Sequence, residues 1–219
     1  MMKLILSLTL IWTLSSTAEA LECYVGDGVD IKPKYIRQCD PTEMCATFAV
    51  QVNRNGEVAK NTVRMCLNSS IFSEGKHTFS FNVGFENESA SVHVCNTDRC
   101  NSQVIPYSLN LTKNNLQCFG CDYPYSAVCN KAVQCLGEQD HCINATRVDT
   151  EGKTPHTFGC VSANLCEIAP FLKVTSAPIK GSKILHAPKC CGSSFCNSAW
   201  SVKLNVIPLL FGLITVINY

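Results

Sequence analysis

The stretch Cys190-Cys191-Gly192-Ser193-Ser194-Phe195-Cys196-Asn197 decides the fold, because its closing pattern also occurs earlier in the chain. The earlier copy, Cys95 to Asn101, has the same Cys-x4-Cys-Asn spacing. Both halves also open on a leucine, one residue, a cysteine and an aromatic residue, at 21–24 and at 116–119. Similarity that recurs at a fixed distance indicates a duplicated structural unit.

The remaining cysteines extend this duplication over the whole of both halves. Six of them recur 94 to 97 residues later, so that Cys23, Cys39, Cys45, Cys66, Cys95 and Cys100 correspond to Cys118, Cys135, Cys142, Cys160, Cys191 and Cys196. The second half holds four further cysteines, Cys121, Cys129, Cys166 and Cys190. Residues 102–115, which include Pro106, form a connecting segment between the repeats.

All 16 cysteines lie between residues 21 and 197, a density typical of an extracellular disulfide scaffold. Each repeat has only about 80 residues, a size at which an apolar core alone is marginal. Disulfides add about 2–4 kcal/mol each and make up the difference. The even counts, six and ten, allow every cysteine to pair within its own repeat, although the counts leave the partners open.

Residues 1–20 have the features of a secretory signal peptide. A basic start at Lys3 precedes the apolar run 4–14, and small residues at Ala18 and Ala20 predict cleavage after Ala20. A membrane helix is the alternative interpretation, but eleven residues are too few to span a hydrocarbon core of about 30 Å. We therefore expect the chain to be secreted.

The other end has the features of a glycosylphosphatidylinositol (GPI) attachment signal. Three small residues at 197–199 precede a polar spacer and the apolar tail 206–219. We expect attachment at Asn197 and removal of residues 198–219; Ser198 is the second choice, since bulky Trp200 would then stand two positions after it. A C-terminal membrane helix is the alternative, but 14 residues are too few to span comfortably.

The segments between the cysteines predict β-structure. Between Cys45 and Cys66, two β-prone runs flank the turn sequence 53–56, which ends in Asn-Gly and indicates a hairpin. A second hairpin is expected around residues 149–152, and the alternation of apolar and polar residues over 79–85 predicts a strand with one apolar face. Sustained helical periodicity is absent from residues 21–197, so we predict a small, disulfide-rich, all-β fold.

The cysteine pattern of the second repeat is Cys-x2-Cys-x7-Cys-x5-Cys-x6-Cys-x17-Cys-x5-Cys-x23-Cys-Cys-x4-Cys-Asn. With this pattern the repeat resembles the three-finger, snake-toxin-like domain of the lymphocyte antigen 6/urokinase receptor family. The resemblance covers residues 116–197 and implies two tandem three-finger domains, at 21–101 and 116–197. Family pairing carried onto this chain implies Cys118–Cys142, Cys121–Cys129, Cys135–Cys160, Cys166–Cys190 and Cys191–Cys196. For the first domain it implies Cys23–Cys45, Cys39–Cys66 and Cys95–Cys100. Two family bridges are missing there, and Gly26 stands where a further cysteine would be.

Charge and motifs argue against several classes of function. Residues 21–197 hold 16 basic and 16 acidic side chains, whereas a nucleic-acid binder normally has a basic excess. The Cys118-Phe119-Gly120-Cys121 motif could be a redox pair or a zinc site, but an oxidising compartment favours a structural disulfide. Asp140-His141 is not accompanied by a nucleophile motif. We therefore predict no enzyme activity, no metal and no cofactor.

Four Asn-x-Ser/Thr sequons predict N-glycosylation in a secreted chain, at Asn68, Asn87, Asn110 and Asn144. Any one of them can arise by chance, since the motif is short.

The family resemblance implies a lipid-anchored cell-surface glycoprotein that binds an extracellular or cell-surface protein as a receptor, adhesion molecule or modulator. Candidate contact residues are apolar groups at the finger tips, Tyr123, Pro124, Tyr125, Phe171 and Leu172, although packing between domains or in a local core is an alternative role for them. The alternative functions are a secreted two-domain inhibitor of the phospholipase-inhibitor kind, a toxin-like ligand, and a hydrolase dependent on His141. The apolar tail favours the anchored form.

Overall fold

The computed structural model describes residues 20–28, 35–123, 125–126, 128–148, 151–154, 156–168, 183–184 and 188–198. Residues 1–19 of the predicted signal peptide, the tail from residue 199, and Pro124, Phe171 and Leu172 lie outside the described residues. Within the described part, no helix is both long enough and apolar enough to span a bilayer.

The described chain is built mainly of β-strands, which confirms the predicted fold class. The strands are β1 (Glu22–Gly28), β2 (Tyr35–Gln38), β3 (Glu43–Arg54), β4 (Glu57–Asn68), β5 (Gly75–Asn82), β6 (Glu86–Cys95), β7 (Lys113–Gly120), β8 (Lys131–Leu136), β9 (His141–Val148), β10 (His156–Val161), β11 (Lys183–Ile184) and β12 (Lys189–Cys191). A 3₁₀ turn spans Cys100–Ser102, and a short helix, α1, spans Ala163–Ile168. The sequence did not predict α1, since six residues are too few to show helical periodicity.

The structure contains eight disulfides, and they join the same pairs that the family resemblance implies. They are Cys23–Cys45, Cys39–Cys66, Cys95–Cys100, Cys118–Cys142, Cys121–Cys129, Cys135–Cys160, Cys166–Cys190 and Cys191–Cys196. All sixteen cysteines are therefore oxidised.

Contacts divide the chain into two compact units. The first unit consists of the described residues up to 50, residues 60–78 and residues 90–107. The second unit consists of residues 51–59, residues 79–89 and the described residues from 108 onward. In the first unit β1 pairs antiparallel with β2 and with β4. Its centre is a cluster of buried cysteines from three disulfides, Cys23, Cys39, Cys45, Cys66 and Cys95. Cross-links thus form part of the core of this unit, beside buried apolar side chains such as Phe48, Phe72 and Val94.

The predicted hairpin between β3 and β4 is confirmed. The strands are neighbours in the sheet, and Asn55 and Gly56 connect them with φ of 53° and 90°. Both residues tolerate positive φ, which the two-residue turn of a twisted hairpin requires. The side-chain oxygen of Asn53 accepts a hydrogen bond from the Gly56 N–H (3.1 Å) and closes the turn.

In the second unit β7 pairs with β8, while β9 pairs with β10, β11 and β12. The core of this unit includes a cluster of buried disulfide cysteines, Cys118, Cys135, Cys142 and Cys160. Residues 79–89 also belong to this unit, where Phe81 and Asn82 pair with Val161 and Cys160.

The expectation of one continuous strand over residues 79–85 is wrong. Strand β5 ends at Asn82, and the next residues form a turn that the Val83 N–H closes by donating to the Glu86 carbonyl (2.9 Å). Gly84, with φ of 93°, provides the reversal, and its N–H donates to the side chain of Asn82. Local alternation does not reveal this turn, because Val83 is as apolar and buried as a strand residue.

Each repeat closes on an asparagine whose side chain joins two strands. In the first repeat Asn101 accepts from the Tyr24 N–H (3.0 Å) and donates to the carbonyls of Tyr24 (2.9 Å) and Ala46 (3.0 Å). In the second, Asn197 accepts from the Phe119 N–H and donates to the carbonyls of Phe119 and Ile143, at 2.8 to 3.0 Å. We call this arrangement the asparagine clamp. It explains why the duplicated motif ends on Cys-Asn.

Candidate binding surface

The loop between β7 and β8 presents apolar side chains to solvent in the second unit. Tyr123 is 57% exposed, Tyr125 is 52% exposed and Val128 is 61% exposed. The disulfide Cys121–Cys129 closes this loop across only eight positions. We call residues 122–130 the tyrosine loop. Large apolar side chains gathered on a short exposed loop are typical of interaction surfaces.

Hydrogen bonds join the described residues of the tyrosine loop. The buried Ser126 donates its N–H to the Tyr123 carbonyl (3.1 Å) and its hydroxyl to the Val128 carbonyl (2.6 Å). At the base of the loop, Lys131 Nζ lies 3.2 Å from an Asp122 carboxylate oxygen. Side chains on residues that a disulfide and local hydrogen bonds already hold lose little entropy when they bind a partner.

A lysine from the β9–β10 hairpin lies beside the tyrosine loop. Lys153 Nζ lies 5.5 Å from the centre of the Tyr125 ring, within the range of a cation–π interaction, and 2.7 Å from a Glu151 carboxylate oxygen. The surface therefore combines aromatic area with charges of both signs, a combination suited to a protein partner.

The structure brings together two of the predicted contact residues, Tyr123 and Tyr125, and leaves Phe171 and Leu172 outside the described residues. Sequence reasoning missed Val128 and Lys153. Lys153 had a partial signal, since it follows the predicted hairpin turn at residues 149–152, whereas the apolar character of Val128 gave no indication of its exposure.

Asp140 and His141, the pair that could suggest catalysis, have a structural role at the start of α1. The Asp140 carboxylate accepts from the Ala163 N–H (2.8 Å) and lies 3.0 Å from His141 Nδ1. Partial burial by itself would raise the pKa of Asp140, but the hydrogen bonds from His141 and Ala163 outweigh it and lower this pKa below its ordinary value. The carboxylate therefore remains ionised and caps the helix.

Sulfur atoms converge at two points, one in Cys23, Cys39 and Cys66 and the other in Cys118, Cys135 and Cys160. Zinc requires thiolates, and each of these sulfurs is already bonded within a disulfide. In the described part of the chain, these sulfur clusters are therefore disulfides packed against one another.

The four sequons occupy different environments. Asn110 is exposed, Asn68 and Asn144 are half-buried, and Asn87 is buried. Asn197, the expected attachment residue of the lipid, is buried through its side chain in the clamp, and Ser198, the second choice, follows it directly.

The fold defines a class of protein: a disulfide-rich, all-β protein built from two copies of one clamped domain. A family model described as the u-PAR/Ly-6 domain matches residues 19–103 and again residues 114–199. The chain therefore belongs to the u-PAR/Ly-6 family, with two tandem domains. Domains of this family are non-enzymatic binding modules.

Among curated proteins, the chain is similar to the urokinase plasminogen activator surface receptor of several mammals. The receptor of Bos taurus is 26% identical over 129 residues, which are 55% of this chain and 33% of that protein. The receptor of Rattus norvegicus is 26% identical over 111 residues, which are 47% of this chain and 31% of that protein. The chain thus matches about a third of the length of these relatives. Among solved structures, that of mouse TEX101 aligns with 80% of this chain and 99% of that chain, at 14% identity and a TM-score of 0.32.

Proposed function

We propose that this protein is a GPI-anchored glycoprotein of the outer cell surface that binds an extracellular protein through its tyrosine loop. The observation that carries the proposal is the exposure of Tyr123 and Tyr125 on a loop that the disulfide Cys121–Cys129 closes. Its partner would be a protein with an apolar patch and a polar rim, since exposed tyrosines offer both ring area and a hydroxyl.

The chemistry of the tail supports the anchor. Small residues at 197–199 followed by a spacer and an apolar tail form the attachment signal. At Asn197 the lipid would bond to the main-chain carboxyl group, which leaves the side chain free to hold Phe119 and Ile143 in the clamp. The anchor would then join the second domain directly, without a linker.

Treatment of cells that express the full chain with phosphatidylinositol phospholipase C tests the anchor. We expect loss of the protein from the cell surface and its recovery in the medium. Persistence on cells where the lipase releases a co-expressed GPI-anchored control protein, and where inositol acylation has been excluded, would overturn the anchor. Secretion of the untreated chain into the medium would instead favour the inhibitor or toxin-like alternative.

Substitution of the tyrosines tests the binding surface. The released ectodomain is labelled and its binding to a panel of cell types is measured by flow cytometry, first for the unchanged chain and then for the double variant Tyr123→Ala/Tyr125→Ala. Tyr35→Ala is the matched control, since Tyr35 is an exposed tyrosine of the first unit. We expect the double variant to lose at least tenfold in affinity, as about 2 kcal/mol for a central aromatic pair implies. Equal binding by the double variant, or equal loss with Tyr35→Ala, would contradict the assignment.

A further inference from the structure

The sequons at Asn87 and Asn110 have the same motif but opposite structural settings. Asn87 lies in β6, where it is only 9% exposed, and Ser89, which completes its sequon, is also buried. Asn110 begins the exposed run 110–113 in the connecting segment. The motif is recognised locally, whereas the space that a glycan needs is decided by the tertiary fold.

The side chain of Asn87 is part of a buried hydrogen-bond chain in the second unit. Gln139, which is 1% exposed, accepts from the Leu136 N–H (2.9 Å) through its side-chain oxygen. Its Nε2 group donates to Oδ1 of Asn87 (3.2 Å), and its carbonyl accepts from Asn114 Nδ2 (3.0 Å). A buried amide donor without an acceptor is costly, so Asn87 stabilises this turn by satisfying Gln139.

A glycan at Asn87 conflicts with the burial of its side chain. The planar amide is held by the donation from Gln139, which is 1% exposed, and the Asn87 residue as a whole is only 9% exposed. A sugar on Nδ2 would therefore require the amide to turn outward and to leave Gln139 without its acceptor.

Asn110 meets the opposite condition. Its Oδ1 accepts from the Thr112 N–H (3.0 Å), a local turn that fixes the side chain without covering it. One face of the side chain lies over Gly137, where an added Cβ would be 2.9 Å from the Cβ of Asn110. Asn110 and the three residues that follow it are all exposed, so a glycan there displaces no buried group.

We propose that the folded protein carries an N-linked glycan on Asn110 and none on Asn87, whose unmodified amide is a structural element of the second unit. Transfer breaks the bond between the sugar C1 and the diphosphate of a lipid-linked oligosaccharide. It forms a bond between C1 and Nδ2 and releases one Nδ2 proton with the lipid diphosphate. Transfer precedes folding, so a chain modified at Asn87 could not form the contact to Gln139, and we expect it to be absent from the folded protein at the cell surface.

Site-resolved mass spectrometry of the full chain, expressed in human cells and purified from the cell surface, tests this proposal. Removal of glycans with peptide N-glycosidase in H₂¹⁸O converts each occupied asparagine to ¹⁸O-labelled aspartate. We expect the label at residue 110 and the unlabelled, unmodified asparagine at residue 87. Label at residue 87, or an unmodified Asn110, would overturn the proposal.

Two matched variants separate the sequon from the side chain. Ser89→Ala and Thr112→Ala each destroy one sequon while keeping its asparagine. We expect Ser89→Ala to leave the electrophoretic mass unchanged, and its thermal midpoint unchanged or higher, because the buried Ser89 hydroxyl has no hydrogen-bond partner in the described structure. Thr112→Ala should lose the mass of one glycan. A smaller mass for Ser89→Ala would refute the assignment.

A third variant tests the structural role of the amide. Asn87→Ala leaves Gln139 without its acceptor, and we expect its thermal midpoint to fall by a few degrees relative to Ser89→Ala, with the glycan mass unchanged. A midpoint equal to that of Ser89→Ala would show that the Asn87 amide does not stabilise the fold.

Discussion

The asparagine clamp can be tested most cleanly at Asn101, because this copy is not the expected lipid attachment site. The Asn101 side chain is fully buried and makes three hydrogen bonds, one from the Tyr24 N–H and two to the carbonyls of Tyr24 and Ala46. Substitution Asn101→Ala removes all three and leaves these backbone groups without that partner. At about 1 kcal/mol for each hydrogen bond, with a further penalty for unsatisfied buried groups, we expect a loss of about 3–5 kcal/mol in the free energy of unfolding.

Two further variants show whether hydrogen bonds or volume are responsible. Asn101→Asp keeps the size of the side chain and the acceptor for the Tyr24 N–H, but it replaces both donated bonds by a carboxylate facing two carbonyl oxygens. We expect it to be at least as destabilising at neutral pH as Asn101→Ala. Asn96→Ala is the matched control in the same disulfide loop, since Asn96 is exposed; its effect should stay within about 0.5 kcal/mol.

Urea unfolding of the oxidised ectodomain, followed by circular dichroism, measures the loss. Hydrogen exchange locates it, and protection should fall in β1 and β3, the two strands that Asn101 joins. An Asn101→Ala variant as stable as Asn96→Ala, or an Asn101→Asp variant as stable as the unchanged protein, would refute the view that hydrogen bonding by this amide holds the repeat closed.

Three further predictions concern the distribution of stability. With three disulfides in residues 21–101 and five in 116–197, mild reduction or heating should loosen the first unit first; hydrogen exchange with equal or greater protection there would contradict this. An added Cβ at Gly159 would lie 2.1 Å from the Asn82 carbonyl oxygen, so Gly159→Ala should lower the free energy of unfolding by about 1–3 kcal/mol or more, as measured by thermal unfolding. Gly192→Ala is the control and should be near neutral, because its added Cβ would make only an ordinary contact. Because the pKa of Asp140 is lower in the folded protein than in the unfolded chain, its ionised carboxylate stabilises the fold above the unfolded pKa, and this stability is lost as pH falls through the folded pKa. The difference in thermal midpoint between the unchanged protein and Asp140→Asn should therefore shrink between about pH 5 and pH 2. A constant difference over that range would exclude this linkage.

The cysteine pattern made the fold predictable, because cross-links dominate the structure of a domain too small for a large core. Turn chemistry added the hairpin at Asn55-Gly56, whose positive φ values follow from the residue types. Other features depend on partners distant in sequence. Asn101 was visible as part of a repeated motif, but its amide binds Tyr24, 77 residues earlier, which spacing alone does not reveal.

The candidate site was predictable in part for the same reason. Tyr123 and Tyr125 follow the first cysteines of the second repeat, so their place on a finger could be inferred from the domain type. The exposure of Val128 and the approach of Lys153 to the Tyr125 ring arise from the folded path of two different hairpins. The burial of Asn87 is of the same kind, since its sequon has the same Asn-x-Ser/Thr form as that of Asn110, and its burial and its contact to Gln139 appear only in the folded protein.

The duplication makes it possible to separate two roles that coincide at the end of the second repeat. Asn197 closes its domain through its side chain, and in the proposed anchor it would carry the lipid on its main chain, so a substitution there would change folding and anchoring together. Asn101 has the same three hydrogen bonds and no anchor, so its variants measure the clamp alone. If a substitution at Asn197 lowers the free energy of unfolding as much as the same substitution at Asn101 but lowers the amount of protein on the cell surface further, the additional loss from the surface is due to the anchor. Retained display with a loosened domain would instead move the attachment to Ser198.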